Sequence, residues 1–254
     1  MAIRRERVRH ELVRRTLTVV RTAAVTPRLV RVTLGGAELE GFAAPGPADH
    51  VKLFFPGGES RDYTPAAFRP AGDGGEEGDG APELDIDFVL HGDEGPASAW
   101  AGRAAVGDEL VIAGPRGSHL APSGVSRIVL VVDETAFPAA GRWLTAAGDD
   151  VPVDVLAWPR DSAPEVYFEG RVPAQASVST FSANELEGAV RSLAPFDEGT
   201  FFFLAGEATA LVPVRRYLRR DLGLPSEQVQ ASGYWKHGTA GLDHHAPIDP
   251  SDPD

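Results

Sequence analysis

The hydrophobic pattern of this chain changes near Pro122, and that change constrains the fold more than any other feature. Before it, short β-rich runs alternate with Gly/Pro turns, at residues 16–20, 29–34, 51–55, 84–90 and 109–113. Thr26-Pro27 separates the first two runs. Residues 84–89 alternate apolar and acidic, the pattern of a half-buried strand. One short helix is expected at 97–104. This spacing predicts a small antiparallel β-barrel. After Pro122, Ile128-Val129-Leu130-Val131-Val132 is continuously apolar, as in a parallel strand buried on both faces. A helix follows, with Ala136, Ala139, Ala140, Trp143, Leu144 and Ala147 on one face. Strands at 153–156, 201–205 and 229–234 then alternate with helices at 183–193 and 208–222. That alternation predicts an α/β domain with a parallel sheet. The expected architecture is an antiparallel β-barrel over residues 8–122 and an α/β domain over 123–240. Residues 71–82 and 241–254 are acidic and rich in Gly or Pro, and are expected to be disordered.

Composition excludes several kinds of chemistry. The chain has no cysteine, which removes disulfides, thiolate catalysis, thiolate zinc sites and cysteine-held iron–sulfur clusters. Electron chemistry here requires a bound organic cofactor or a metal held by ligands other than cysteine. A net charge of −13 argues against nucleic-acid binding. The positive charge is uneven, with Arg4, Arg5, Arg7, Arg9, Arg14 and Arg15 all near the N-terminus. No apolar stretch follows them, so no secretory signal is expected. No run is long enough to cross a membrane as a helix. A cytoplasmic monomer is expected, with no membrane insertion.

The motifs sit between residues 61 and 117. Arg61-Asp62-Tyr63-Thr64 precedes Gly95-Pro96-Ala97-Ser98. Tyr63 offers a flat face and a hydroxyl, and Thr64 a small hydroxyl. Arg61 offers a cation, and the Gly-x-x-Ser turn offers backbone N–H groups. In a barrel followed by an α/β domain, this set suits the isoalloxazine and pyrophosphate of FAD. Each short pattern is common alone; the context carries the reading. No Gly-x-Gly-x-x-Gly is present.

Further stretches extend the comparison. They are Thr26-Pro27-Arg28-Leu29-Val30-Arg31, His50-Val51-Lys52-Leu53-Phe54, His91-Gly92-Asp93-Glu94-Gly95-Pro96-Ala97-Ser98-Ala99-Trp100, Gly114-Pro115-Arg116-Gly117, Asp133-Glu134-Thr135-Ala136, Ala205-Gly206-Glu207-Ala208 and Gly233-Tyr234-Trp235-Lys236. In this order they resemble the siderophore-interacting proteins, a flavin branch of the ferredoxin–NADP reductase superfamily. The resemblance covers roughly residues 8–240. It implies an FAD-dependent reductase of ferric siderophores that releases Fe²⁺, with electrons from NAD(P)H or a ferredoxin. It adds His91, Gly92, Asp133, Thr135, Ala136 and Trp235 to the cofactor-binding set. It implies that Lys52, Arg116 and Lys236 hold an anionic ferric siderophore. Gly206 and Glu207 are its nicotinamide-binding positions. Arg160, just past a predicted strand, stands where a dinucleotide fold can accept a 2′-phosphate. Iron is substrate, so no resident metal site is expected. Two positions depart from the family pattern: Ala66 replaces an Arg, with Arg69 close by, and Val132 replaces a Gly. Two rival readings stay open, a siderophore binder without turnover and a general NAD(P)H:flavin or quinone reductase.

Overall fold

The structure is a computed structural model that describes residues 3–72, 80–91, 95–243 and 246–253. Gly92, His244, His245 and most of the acidic loop predicted at 71–82 lie outside the described residues. The chain divides into two compact units. One is Arg7–Leu120; the other is Ala121–Asp254 joined by the N-terminal six residues. The N-terminus is tied to the second unit by an Arg4–Ser123 bridge and an Arg5 Nη2 to Gln230 Oε1 hydrogen bond of 2.6 Å.

The first unit contains β1 (Arg7–Arg9), β2 (Arg14–Thr26), β3 (Leu29–Gly35), β4 (Val51–Phe54), β5 (Ser60–Tyr63), β6 (Pro65–Arg69), β7 (Glu83–Val89), α1 (Pro96–Ala101), β8 (Glu109–Ala113) and β9 (Gly117–His119). Seven strands form one antiparallel sheet in the order β5-β4-β8-β2-β3-β7-β6. Its two edge strands, β5 and β6, are separated only by Thr64. A single residue cannot span a flat sheet of seven strands. The sheet therefore curls until its edges meet at Thr64, which makes it the predicted barrel. Alternation packs Leu17, Val51, Leu53, Ile86, Phe88 and Ile112 inside. Trp100 of α1 closes this core against Phe88 and Phe55.

Strand β7 differs from the half-buried strand its alternation predicts. Asp85 and Asp87 are buried, 3% and 4% exposed. Their charges are answered by neighbouring strands. Arg31 of β3 makes a two-pronged contact with Asp87, both arms at 2.7 Å. Arg69 of β6 donates to Asp85 at 2.8 Å, and Thr33 does the same. Carboxylates can be buried when ion pairs and hydrogen bonds satisfy them. The acidic face of β7 thus lies under arginines instead of water.

The second unit contains β10 (Arg127–Val132), α2 (Phe137–Ala147), β11 (Val153–Ala157), α3 (Pro164–Tyr167), β12 (Ala176–Thr180), α4 (Leu186–Ser192), β13 (Thr200–Glu207), α5 (Ala208–Arg216) and β14 (Val229–Trp235). The five strands are all parallel, in the order β12-β11-β10-β13-β14. The order reverses between β10 and β13, a topological switch point. Helix α5 ends in a π-helical turn over Tyr217–Asp221. No described helix is long and apolar enough to cross a membrane.

The segment expected to be a disordered acidic tail packs against this unit instead. Ile248 belongs to the apolar core. Asp249 pairs with Arg216 at 2.6 Å, and Asp252 pairs with Arg215 at 3.1 Å and with Arg220. One apolar anchor and two carboxylates facing an arginine-rich helix supply what composition alone did not reveal.

Candidate active site

The predicted residues fall into two groups, one in each unit. In the barrel, Arg61 and Tyr63 lie on edge strand β5. The β4–β5 register sets Tyr63 opposite Val51 and Arg61 opposite Leu53. Both therefore share the face of two core residues. The Tyr63 ring leans on Phe88, centroids 4.6 Å apart. The residue as a whole is half-buried. Burial raises the Tyr63 hydroxyl well above its ordinary pKa, against the pull of Arg61, so it stays a neutral donor. Thr64 is 6% exposed, and no described residue hydrogen-bonds its hydroxyl. An unanswered hydroxyl in a nearly buried residue, beside a flat aromatic ring and a guanidinium, fits a polar ring system such as isoalloxazine. No described carboxylate pairs with Arg61; its Nη1 donates to the Ser60 carbonyl at 2.7 Å.

The turn into α1 depends on a glycine. Gly95 has φ 98°, a region that favours glycine. Pro96 follows at the first helical position, and Ala97 and Ser98 are buried. The Ser98 hydroxyl accepts the His91 backbone N–H at 3.1 Å. That N–H is therefore occupied, and what His91 keeps on the surface is its exposed ring. Arg69, the nearest replacement for the arginine missing at Ala66, is committed to Asp85 and Glu83.

In the α/β unit the predicted residues converge on Asp133. It directly follows β10 and is 2% exposed. Four donors meet its carboxylate. The Thr135 N–H reaches Oδ1 at 2.9 Å, with the Thr135 hydroxyl beside it. The Glu207 N–H and the Trp235 Nε1–H reach Oδ2, each at 2.8 Å. The ends of β10, β13 and β14 are thus joined through one side chain. Gly206 makes this possible: its φ is 143°, and a Cβ there would lie 2.5 Å from the Asp133 carboxyl carbon. Burial is the largest influence on Asp133 and pushes its pKa up to about 6, opposed by its donors.

Around this hub, Arg160 follows β11 with its guanidinium 5.2 Å from the Trp235 ring centre. Its backbone N–H donates to Glu134 at 3.1 Å. Glu207 caps α5 by accepting the Ala210 N–H at 2.7 Å, and it also accepts the His237 N–H at 3.2 Å. Its carboxylate therefore occupies the positive end of α5. Ala136 is fully buried, so only its backbone can reach a ligand. Val132 is fully buried beside Ala157 and Ala205, so its side chain lines no surface. Asp133, Thr135, Arg160, Gly206, Glu207 and Trp235 all gather at the carboxyl ends of the strands, where open α/β sheets bind ligands.

The three predicted substrate cations differ in state. Lys52 points to the barrel's outer face, opposite to Tyr63, and pairs with Asp62 at 2.8 Å. Arg116 and Lys236 are exposed, and no described carboxylate pairs with either. Asp62 and Glu134 were not singled out from sequence. The Pro56-Gly57-Gly58 turn signals the hairpin that sets Asp62 against Lys52. Nothing local marks Glu134 as the acceptor for Arg160.

Comparison with known proteins agrees across both units. Residues 125–238 match the siderophore-interacting protein model, and residues 18–62 and 57–119 match the siderophore-interacting FAD-binding domain. The NADPH-dependent ferric-chelate reductase of Escherichia coli (strain K12) is 30% identical over 245 residues, 91% of this chain and 96% of that protein. The ferric vibriobactin reductase ViuB of Vibrio cholerae is 28% identical over 260 residues, 88% of this chain and 90% of that protein. A crystal structure of a siderophore utilization protein from T. fusca superposes with a TM-score of 0.82 at 33% identity, covering 96% of this chain and 100% of that one. With a barrel, a parallel sheet and relatives matched along nearly their whole length, the chain belongs to the siderophore-interacting protein family.

Proposed function

We propose that this protein reduces ferric siderophores with FAD, in the cytoplasm, drawing electrons from NADPH. The observation that carries the reading is the junction of the two edge strands, where the half-buried Tyr63 precedes the unanswered hydroxyl of Thr64, inside a matched FAD-binding domain. Arg61, Tyr63, Thr64 and the turn at Gly95, Pro96, Ala97 and Ser98 hold the cofactor. When bound, FAD accepts an electron pair from a nicotinamide and delivers single electrons to an acceptor. One NADPH supplies two electrons, which reduce two ferric ions and leave NADP⁺ and one proton.

The chain's own residues bind and orient. Asp133 fixes the Trp235 indole by its N–H, and that ring serves as a flat platform at the sheet's carboxyl edge. Arg160 has no described carboxylate partner and lies past the second strand of the β10-α2-β11 unit. There its guanidinium accommodates the 2′-phosphate of NADPH. Arg116 and Lys236 attract the anionic ferric chelate. The Escherichia coli relative is named as NADPH-dependent.

The protein is expected to purify yellow and to release FAD, not FMN, on heat denaturation. The Gly95-to-Ser98 turn provides for a pyrophosphate, which FMN lacks. Chromatography of the released cofactor checks this. A colourless protein that also fails to take up added FAD would remove the basis of the reading.

A further inference from the structure

We propose that Arg14 is a specificity-determining cation for the anionic ferric chelate, an inference that rests on the function proposed above. It follows from the register of the barrel's outer face. Ala113 of β8 pairs with Arg14 of β2 on one side and with Lys52 of β4 on the other. Residues directly opposite share a face, so Arg14, Ala113 and Lys52 form one row. The neighbours Arg15, Ile112, Val51 and Leu53 are buried, so this row faces outward. Across three strands the Cβ atoms of Arg14 and Lys52 stand about 10 Å apart, with only a methyl group between them.

The charges along this row are unequal. Lys52 is already answered by Asp62, at 2.8 Å. Arg14 is exposed, and no described carboxylate pairs with it. Its guanidinium sits 4.1 Å from the centre of the Phe54 ring, on β4 next to Lys52. Stacking uses the flat face of the guanidinium and leaves its N–H edge for an anion. It also fixes an otherwise mobile side chain, which lowers the entropy lost on binding. Three other carboxylates lie in the neighbourhood. Glu38 accepts the Thr16 N–H at 2.7 Å and does not pair with Arg14. Glu109 lies four residues down β8, roughly 13 Å from Ala113 along the strand. Glu11 precedes β2 and is exposed. Arg116 leaves the same end of β8, exposed. The uncompensated positive charge of the row is therefore that of Arg14, and the Lys52–Asp62 pair adds little net charge.

The test compares Arg14→Ala and Arg14→Lys with wild type on two iron complexes, a trianionic ferric tris-catecholate and a neutral ferric trihydroxamate. Steady-state kinetics and direct titration of each complex, by quenching of protein fluorescence without electron donor, are read in parallel. For Arg14→Ala, KM and Kd should rise about five-fold for the tris-catecholate, with kcat held and the trihydroxamate unaffected. The difference should shrink in high salt, and Arg14→Lys should restore most of it. Equal effects on both complexes, or none on either, would overturn the assignment of Arg14 while leaving the reductase reading intact. Wild-type protein that binds and reduces neither complex would overturn the reductase reading, and this inference with it.

Discussion

Replacing Tyr63 by leucine weakens FAD binding by roughly 5- to 150-fold, the range implied by ~1–3 kcal/mol of ring stacking. Leucine keeps apolar volume against Phe88, so the barrel core stays filled. Tyr63→Phe should retain most of the affinity, because the stacking face survives. Tyr167 is no suitable control: it is 2% exposed and packs on Phe137 and Phe168, so its truncation damages the α/β core. Fluorescence titration of apoprotein with FAD reads the effect, and thermal unfolding shows that the fold is intact. Unchanged affinity in Tyr63→Leu would remove Tyr63 from the cofactor site.

Asp133 carries the second large effect. Asp133→Ala leaves four donors without their acceptor at the joined ends of β10, β13 and β14. Unanswered buried donors make this cost on the order of 3 kcal/mol, which lowers the unfolding midpoint by roughly 10 °C. The indole N–H resonance of Trp235 should move at the same time, since its partner is gone. The charge adds a pH signature. Burial raises this carboxyl from its ordinary 3.8 to about 6 in the folded protein. The folded state thus holds the proton more tightly than the unfolded state. The group's contribution to stability is complete below 3.8 and is lost as pH rises through 6. In Asp133→Asn, which cannot ionise, that slope should disappear. An unaltered pH profile in Asp133→Asn would show that another group carries it.

Much of this was legible in sequence because local pattern and environment agree. β-rich runs between turn residues marked β2, β3 and β8, and the continuous apolar run marked β10, since each has its neighbours where the pattern requires. Strand β7 was legible as a strand but not in its burial, because Arg31 and Arg69 come from other strands. Strand β12 escaped detection: Ala-Ser-Val-Ser-Thr is a half-exposed edge with a single strongly apolar residue. The docked C-terminal segment escaped for a related reason. Its composition resembles solvent-exposed chain, and only α5 reveals the arginines that answer it. Site residues were legible where a short motif holds them, as with Arg61, Tyr63 and Thr64. The convergence on Asp133 was not, because Gly206 and Trp235 reach it only through the parallel sheet order.

The central claim is electron transfer from a nicotinamide to siderophore-bound iron. The direct test mixes the FAD-loaded protein with NADPH and a ferric tris-catecholate under anaerobic conditions, with a ferrous-specific chelator present. Parallel samples replace NADPH by NADH or by reduced ferredoxin. The account predicts two ferrous ions trapped per NADPH consumed, at a rate well above the protein-free control. Trapped iron no higher than that control with NADPH or NADH, whatever reduced ferredoxin achieves, would contradict it.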